Sequence, residues 1–379
     1  MIVDTKRTAL GPRGVGVAAS AGLAASMGIG RFVFTPLLPI MVASAGLTAG
    51  DGAVIATGNY AGYLVGSVVL ARRPGLSRRS TFLAWAAALV ASESLMAVSA
   101  DVAWATALRF VAGVASAAVF LGCVSTVAHH RAHAGVAIAG VGAGIAMSGA
   151  YVLVAAASMS WQGLWLGAAV LTAVLLLPTL ALDVRPEHDG ATGYGRVQLA
   201  GGRRVAWILV LAAYFAEGVG YIVLGTFLPA SVPGAHSGAL VWTVAGLSAV
   251  PATVAWHAVG RRVGTGRALV AALAVQTAGA GLVAASGGVP AAMVGAVCFG
   301  GTFLGIVGLA FDFARGLGVG RAAATLTAAY AAGQVIGPLV VIPVIGHSFA
   351  MAFVIATVVL ASASLLAAGA ETVRRSLPR

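Results

Sequence analysis

Apolar runs long enough to cross a bilayer, about 20 residues each, follow one another along almost the whole chain and are separated by short polar turns. They predict twelve membrane helices at 14–43, 51–71, 80–99, 102–127, 134–157, 162–182, 205–231, 238–259, 268–286, 290–313, 322–345 and 347–370. Alanine and glycine fill them, with 52 glycines in the chain as a whole, and small residues let helices approach closely in lipid. The longest polar interruption, 183–204, mixes Asp183, Arg185, Glu187, His188, Asp189, Arg196, Arg203 and Arg204. It divides the chain into two groups of six spans, residues 1–183 and 205–379, with 184–204 as a cytoplasmic linker. The expected fold class is therefore all-α and integral to the membrane.

Composition agrees and charge adds the orientation. Hydrophobic residues make up 60% and charged residues 8%, against roughly 25% charged in soluble domains. A net charge of +12 would suggest nucleic acid as partner in a soluble chain, but here the basic residues sit in clusters between apolar runs. With the N-terminus inside, the inner segments hold Lys6, Arg7 and Arg13, the quartet Arg72, Arg73, Arg78 and Arg79, then Arg131, the linker arginines, Arg261, Arg262 and Arg267, Arg315 and Arg321, and Arg374, Arg375 and Arg379. The outer loops hold none, and the two cations left over, Arg31 and Arg109, lie within spans. This asymmetry predicts a multi-pass membrane protein with both termini cytoplasmic; the expected setting is the bacterial inner membrane, as a monomer in contact with lipid. The first run is too long for a cleaved signal peptide. Cys123 and Cys298 lie in apolar runs without metal-ligand spacing and read as small core residues, so neither metal nor cofactor is expected.

The chain repeats itself. Gly28-Ile29-Gly30-Arg31-Phe32-Val33-Phe34-Thr35-Pro36-Leu37-Leu38-Pro39 aligns without gaps on Gly218-Val219-Gly220-Tyr221-Ile222-Val223-Leu224-Gly225-Thr226-Phe227-Leu228-Pro229, half the chain later. Arg72-Arg73-Pro74-Gly75 matches Arg261-Arg262-Val263-Gly264 at an offset one residue shorter. Two six-span halves in the same orientation are the parallel-repeat plan of one transporter class.

These features resemble the major facilitator superfamily over the whole chain: twelve spans in two halves, the loop Gly260-Arg261-Arg262-Val263-Gly264-Thr265-Gly266-Arg267, and Arg109-Phe110-Val111-Ala112-Gly113 as an RxxxG element in span 4. The two repeat segments, with Tyr214-Phe215-Ala216-Glu217 ahead of the second, are similar to the signatures of the YbfB/YjiJ-like subfamily. The resemblance implies two six-helix bundles around a central cavity lined by spans 1, 4, 7 and 10. One departure stands out: the acidic residue usual in the loops after spans 2 and 8 is missing from both.

A charge near mid-membrane costs several kcal/mol unless it faces protein or a watery cavity, so Arg31 and Glu217 are the leading functional candidates. Glu217 lies about 12 residues into span 7, roughly 18 Å along it. Tyr214, Glu217 and Tyr221 share one face of span 7, as Gly28, Arg31 and Thr35 share one face of span 1. Arg31 is expected to receive an anionic or hydrogen-bonding group of a small-molecule solute, and Glu217 to exchange protons. A structural Arg31–Glu217 bridge is the alternative. Pro36, Pro39 and Pro229 would let the outer ends of spans 1 and 7 bend. Arg109 has either a proton-relay role or a structural bridge to Glu93 or Asp101. Phe34, Asn59, Tyr151, Tyr330 and Gln334 are possible cavity-lining residues, with helix-to-helix hydrogen bonding as the competing reading. Asp312 and Arg315 read as a local gate or anchor, and His129, His130 and His133 as a solvated turn. No HExxH, GxSxG or phosphate loop with a lysine occurs, which argues against an enzyme or an ATP-driven pump. The expected activity is secondary active transport by alternating access, proton-coupled and favouring efflux by antiport. Uptake of a small organic anion, or a uniport facilitator without proton coupling, is the alternative.

Overall fold

The computed structural model describes residues 10–76, 78–185, 201–319 and 322–377, all helix, turn and loop, with no strand among them. Most of the linker, with Glu187, His188, Asp189 and Arg196, lies outside the described residues, as do Lys6, Arg7, Arg321 and Arg379.

Span 1 is helix α1 (Pro12–Leu23), a π-helical turn (Ala24–Ile29) and α2 (Phe34–Ser44). Then follow α3 (Ala49–Arg72), α4 (Arg79–Leu95), α5 (Val102–His129), α6 (Ala134–Ala155) and α7 (Trp161–Leu176), the last continued by a 3-10 turn (Leu177–Ala181). The remainder comprises α8 (Gly201–Phe227), α9 (Ala235–Val263), α10 (Thr265–Ser286), α11 (Gly288–Gly316), α12 (Ala322–Ile345) and α13 (Phe349–Arg375). Eleven of these spans are long and apolar enough to cross a membrane. The twelfth expected span is α4, which has only 17 residues because Met96–Val98 turn away as the chain approaches Asp101.

Helix contacts repeat between two groups of helices, α1 to α7 in the first half of the chain and α8 to α13 in the second. α3 packs on α5 as α9 packs on α11, α1 on α6 as α8 on α12, and α4 on α7 as α10 on α13. The groups meet along α6–α9 and α3–α12. Glycine makes the first of these seams possible: a Cβ on Gly246 would strike the backbone of Ala146, and one on Gly142 that of Val250. Such close approach suits lipid, where dispersion and small-residue packing hold helices together.

The repeat also meets itself. Thr35 donates its hydroxyl hydrogen to the carbonyl of Gly225 at 3.0 Å, and those two residues occupy equivalent positions in the two repeat segments. A residue touches its own counterpart only near the axis relating the copies, so that axis passes between α2 and the end of α8.

The loops lacking the usual acidic residue are tied down by other means. Arg79, at the start of α4, donates to the carbonyls of Leu180 and Leu182 at 2.5 Å each, holding the end of span 6. On the other side Gly266 abuts the carboxylate of Glu371, which accepts from Arg374 and Arg375 at 2.7–3.0 Å.

Candidate solute and proton-coupling site

Proline chemistry breaks span 1 at its one charge. Pro36 has no N–H to offer the carbonyl of Phe32. The amide of Thr35 bonds there instead, at 3.0 Å, and so leaves the carbonyl of Arg31 without its helical donor. The Arg109 guanidinium on α5 fills that role, its Nη2 donating to Arg31 O at 2.6 Å. Span 7 carries Thr226 where span 1 carries Pro36, and α8 runs unbroken through the corresponding stretch.

Arg31 is 3% exposed and reaches across to the second half of the chain. Its Nη2 donates to Gln334 Oε1 on α12 at 2.7 Å, and Gln334 Nε2 donates to the Tyr221 hydroxyl at 2.7 Å. The guanidinium lies 4.2 Å from the ring centre of Tyr63, 5.2 Å from Phe32 and 5.5 Å from Tyr60. Its Nε is buried without a hydrogen-bond partner. Tyr60 and Thr226 share a hydrogen bond at 2.9 Å, a further tie between the groups.

Glu217 is fully buried on α8, and neither carboxylate oxygen has a hydrogen-bonded partner. The Gln276 amide on α10 and the Tyr330 hydroxyl on α12 lie near it, and neither makes a hydrogen bond. The gap beside Glu217 between α8, α10 and α11 has no room for a water molecule. No salt bridge joins Arg31 to Glu217: among the described residues Arg31 has no carboxylate partner, and the two are linked only through a chain of intermediates. Tyr330 stacks on Tyr214 at 4.5 Å and on Tyr221 at 5.1 Å, which places Tyr330 and Gln334 between acid and base. Beyond them Tyr221 stacks on Phe299 and Phe303, each at 5.9 Å, and Trp242 lies between Phe299 and Phe32.

The other expected residues fall elsewhere. Arg109 faces the buried Glu93 without a salt bridge, while Asp101 caps α5 by accepting from the amide of Trp104 at 2.8 Å. Phe34 packs on Trp165 at 6.4 Å and flanks Arg109, away from the Arg31 guanidinium. Asn59 donates to the Arg109 carbonyl at 3.0 Å and Tyr151 to that of Leu164 at 3.0 Å, both helix-to-helix bonds. Pro39 sits inside α2 without ending it. Pro229 opens a 3-10 turn after α8, terminating that helix where a bend was expected. Asp312 holds Arg315 at 2.9 Å and His257 at 3.1 Å. His129 and His130 meet edge-to-face at the end of α5.

Sequence reasoning passed over Tyr60, Tyr63, Trp242, Gln276, Phe299 and Phe303. Two signals were available: Tyr60 and Tyr63 share a face by their i, i+3 spacing, as do Phe299 and Phe303 at i, i+4, and Gln276 is a lone amide in an apolar run.

Residues 23–372 match the family model described as an uncharacterised MFS-type transporter, YbfB. No protein of curated function matches the sequence. Among solved structures, the nucleoside transporter NupG superposes with a TM-score of 0.70 at 13% identity, covering 96% of this chain and 100% of that one. A point mutant of NupG gives a TM-score of 0.70 at 12% identity, covering 94% and 99%. At that identity the likeness speaks for the fold alone. The family match spans nearly the whole chain, with the break in span 1, Arg31 and Glu217 all inside it, and the chain therefore belongs to the YbfB family of MFS-type transporters.

Proposed function

We propose that the protein is a proton-coupled secondary active transporter working by alternating access, in which Arg31 holds a small organic anion and Glu217 carries the proton. Two six-helix bundles, residues 1–183 and 205–379 joined by 184–204, would rock about the Thr35–Gly225 contact. The protein would sit as a monomer in the inner membrane with both termini cytoplasmic, as the loop arginines favour.

The observation that carries this reading is a run of side chains between the two charges: Arg31 bonds Gln334, Gln334 bonds Tyr221, Tyr221 stacks on Tyr330, and the unpartnered Tyr330 hydroxyl lies near Glu217. An anion arriving at Arg31 adds negative charge at one end of the run and thereby favours a protonated Glu217 at the other. By linkage a bound proton favours the anion equally. A solute and a proton that bind cooperatively move together, which supports uptake by symport. Export by antiport is the second reading. It needs solute and proton to compete, and a cationic solute drawn to the Glu217 carboxylate would do so.

Purified protein in proteoliposomes distinguishes the two. Adding solute outside raises the external pH under symport and lowers it under antiport, while a uniporter leaves it unchanged. Absence of counterflow for every solute in a metabolite mixture would overturn the transporter reading.

A further inference from the structure

We infer that the solute is an aromatic monocarboxylate whose carboxylate replaces Gln334 on the Nε–Nη2 edge of Arg31. The inference rests on the transporter reading above and adds its substrate class. That edge of a guanidinium presents two parallel N–H donors, matched to the two oxygens of a carboxylate. Gln334 supplies one oxygen and satisfies Nη2 at 2.7 Å, while Nε stays buried and unpartnered beside it. An amide therefore half-fills a site shaped for a carboxylate. Among the described residues no Asp or Glu lies within ion-pair distance of Arg31, so the charge that would neutralise it comes from outside the chain.

The number of charges follows from the neighbours. Arg109 is the other cation within the spans; its Nη2 is engaged with the Arg31 carbonyl at 2.6 Å while its Nε and Nη1 are unpartnered, but the buried Glu93 near it supplies a negative charge that Arg31 lacks. One guanidinium without an acid in the chain takes one carboxylate, and a second anionic group would meet the field of Glu93. The body of the solute follows from those rings. Phe32, Tyr60 and Tyr63 surround the guanidinium, and across from them Tyr221, Phe299 and Phe303 form a stacked cluster spaced 5.2–5.9 Å. Offset ring pairs gain about 0.5–1.5 kcal/mol each beyond burial, so a flat ring attached to the carboxylate fits between the two aromatic sets as they separate.

Calorimetric titration of the purified full-length chain tests this with phenylacetate, phenylacetamide, acetate and succinate. Phenylacetate is expected to bind, and each of the other three to bind at least about tenfold more weakly, because each lacks the charge, the ring or the single-charge match. Arg31→Lys keeps the charge but loses the fork, and is expected to weaken phenylacetate at least about tenfold. Gln334→Ala removes an internal competitor for Nη2 and is expected to tighten it, an outcome no purely structural role for Gln334 would give. Equal binding of phenylacetate and its amide, or no binding by the unaltered chain, overturns the inference and needs no variant to fold. If phenylacetate fails while another solute shows counterflow, the substrate class falls and the transporter reading stands; if no solute shows counterflow, the transporter reading itself falls.

Discussion

Replacing Pro36 with alanine is the sharpest probe of the broken helix. Alanine restores an N–H at position 36, which bonds the Phe32 carbonyl; the Thr35 amide then returns to Arg31 O and displaces Arg109. Pro36 stands in the first turn of α2, where proline is tolerated, so alanine gains about one backbone hydrogen bond, about 0.5–1.5 kcal/mol. The hydrogen bond from Arg109 to Arg31 O, 2.6 Å long and charge-assisted, contributes about 1.5–3 kcal/mol. The two effects largely offset each other. Pro36→Ala should therefore cost the chain between about 0 and 2.5 kcal/mol, moving Tm by less than about 5 °C. The local geometry should nonetheless change: a continuous helix re-aims Arg31 away from Gln334, and solute binding should fall by about tenfold or more, the worth of one bidentate guanidinium contact. Thermal unfolding of the purified protein reads the first effect and equilibrium titration the second. Hydrogen exchange of the 24–36 segment reads the healing itself, with slower exchange in the variant. A loss of more than about 3 kcal/mol with unchanged exchange would refute the reasoning, because proline would then be stabilising the segment in some other way.

Three further outcomes follow. Arg109→Met leaves the Arg31 carbonyl unpaired and should cost about 1–3 kcal/mol; adding Glu93→Gln should recover part of the loss in thermal unfolding if the acid faces the guanidinium, whereas strict additivity would argue against that contact. Gly246→Val forces α6 and α9 apart and should lower stability by about 1–3 kcal/mol, while Gly301→Ala, where a Cβ meets nothing within 4 Å, should be neutral or slightly stabilising. Tyr151→Phe should lose about 1 kcal/mol or less, the net worth of one hydrogen bond, and leave transport unchanged; a transport defect would bring Tyr151 back as a cavity residue.

Much of the architecture can be read from the chain itself. Apolar runs mark the spans, and the repeat from Gly28 and Gly218 foreshadows both the doubled contact pattern and the meeting of Thr35 with Gly225. The sequence picks out Arg31 and Glu217 as isolated charges in apolar runs, and both are buried within the protein. Azimuth is another matter. Spacing says that Tyr214, Glu217 and Tyr221 share a face, but it does not say which neighbour that face meets. Glu217 lies near Gln276 and Tyr330 instead of Arg31, and nothing local to α8 encodes that choice. The partner of Arg31 was similarly hidden, since Gln334 lies on α12 and becomes its neighbour only when α3 and α12 pack together. Pro36 and Arg109 could each be seen in the sequence. Their joint role depends on a single freed carbonyl, which sequence spacing does not reveal.

The central claim is that Glu217 gains and loses the proton that drives transport, and Glu217→Gln tests it most directly. In proteoliposomes the variant should retain solute counterflow, because Arg31, Gln334 and Tyr221 are untouched, and should lose the acceleration that a pH gradient confers on the unaltered protein. Gradient-driven transport surviving intact in Glu217→Gln would contradict the account.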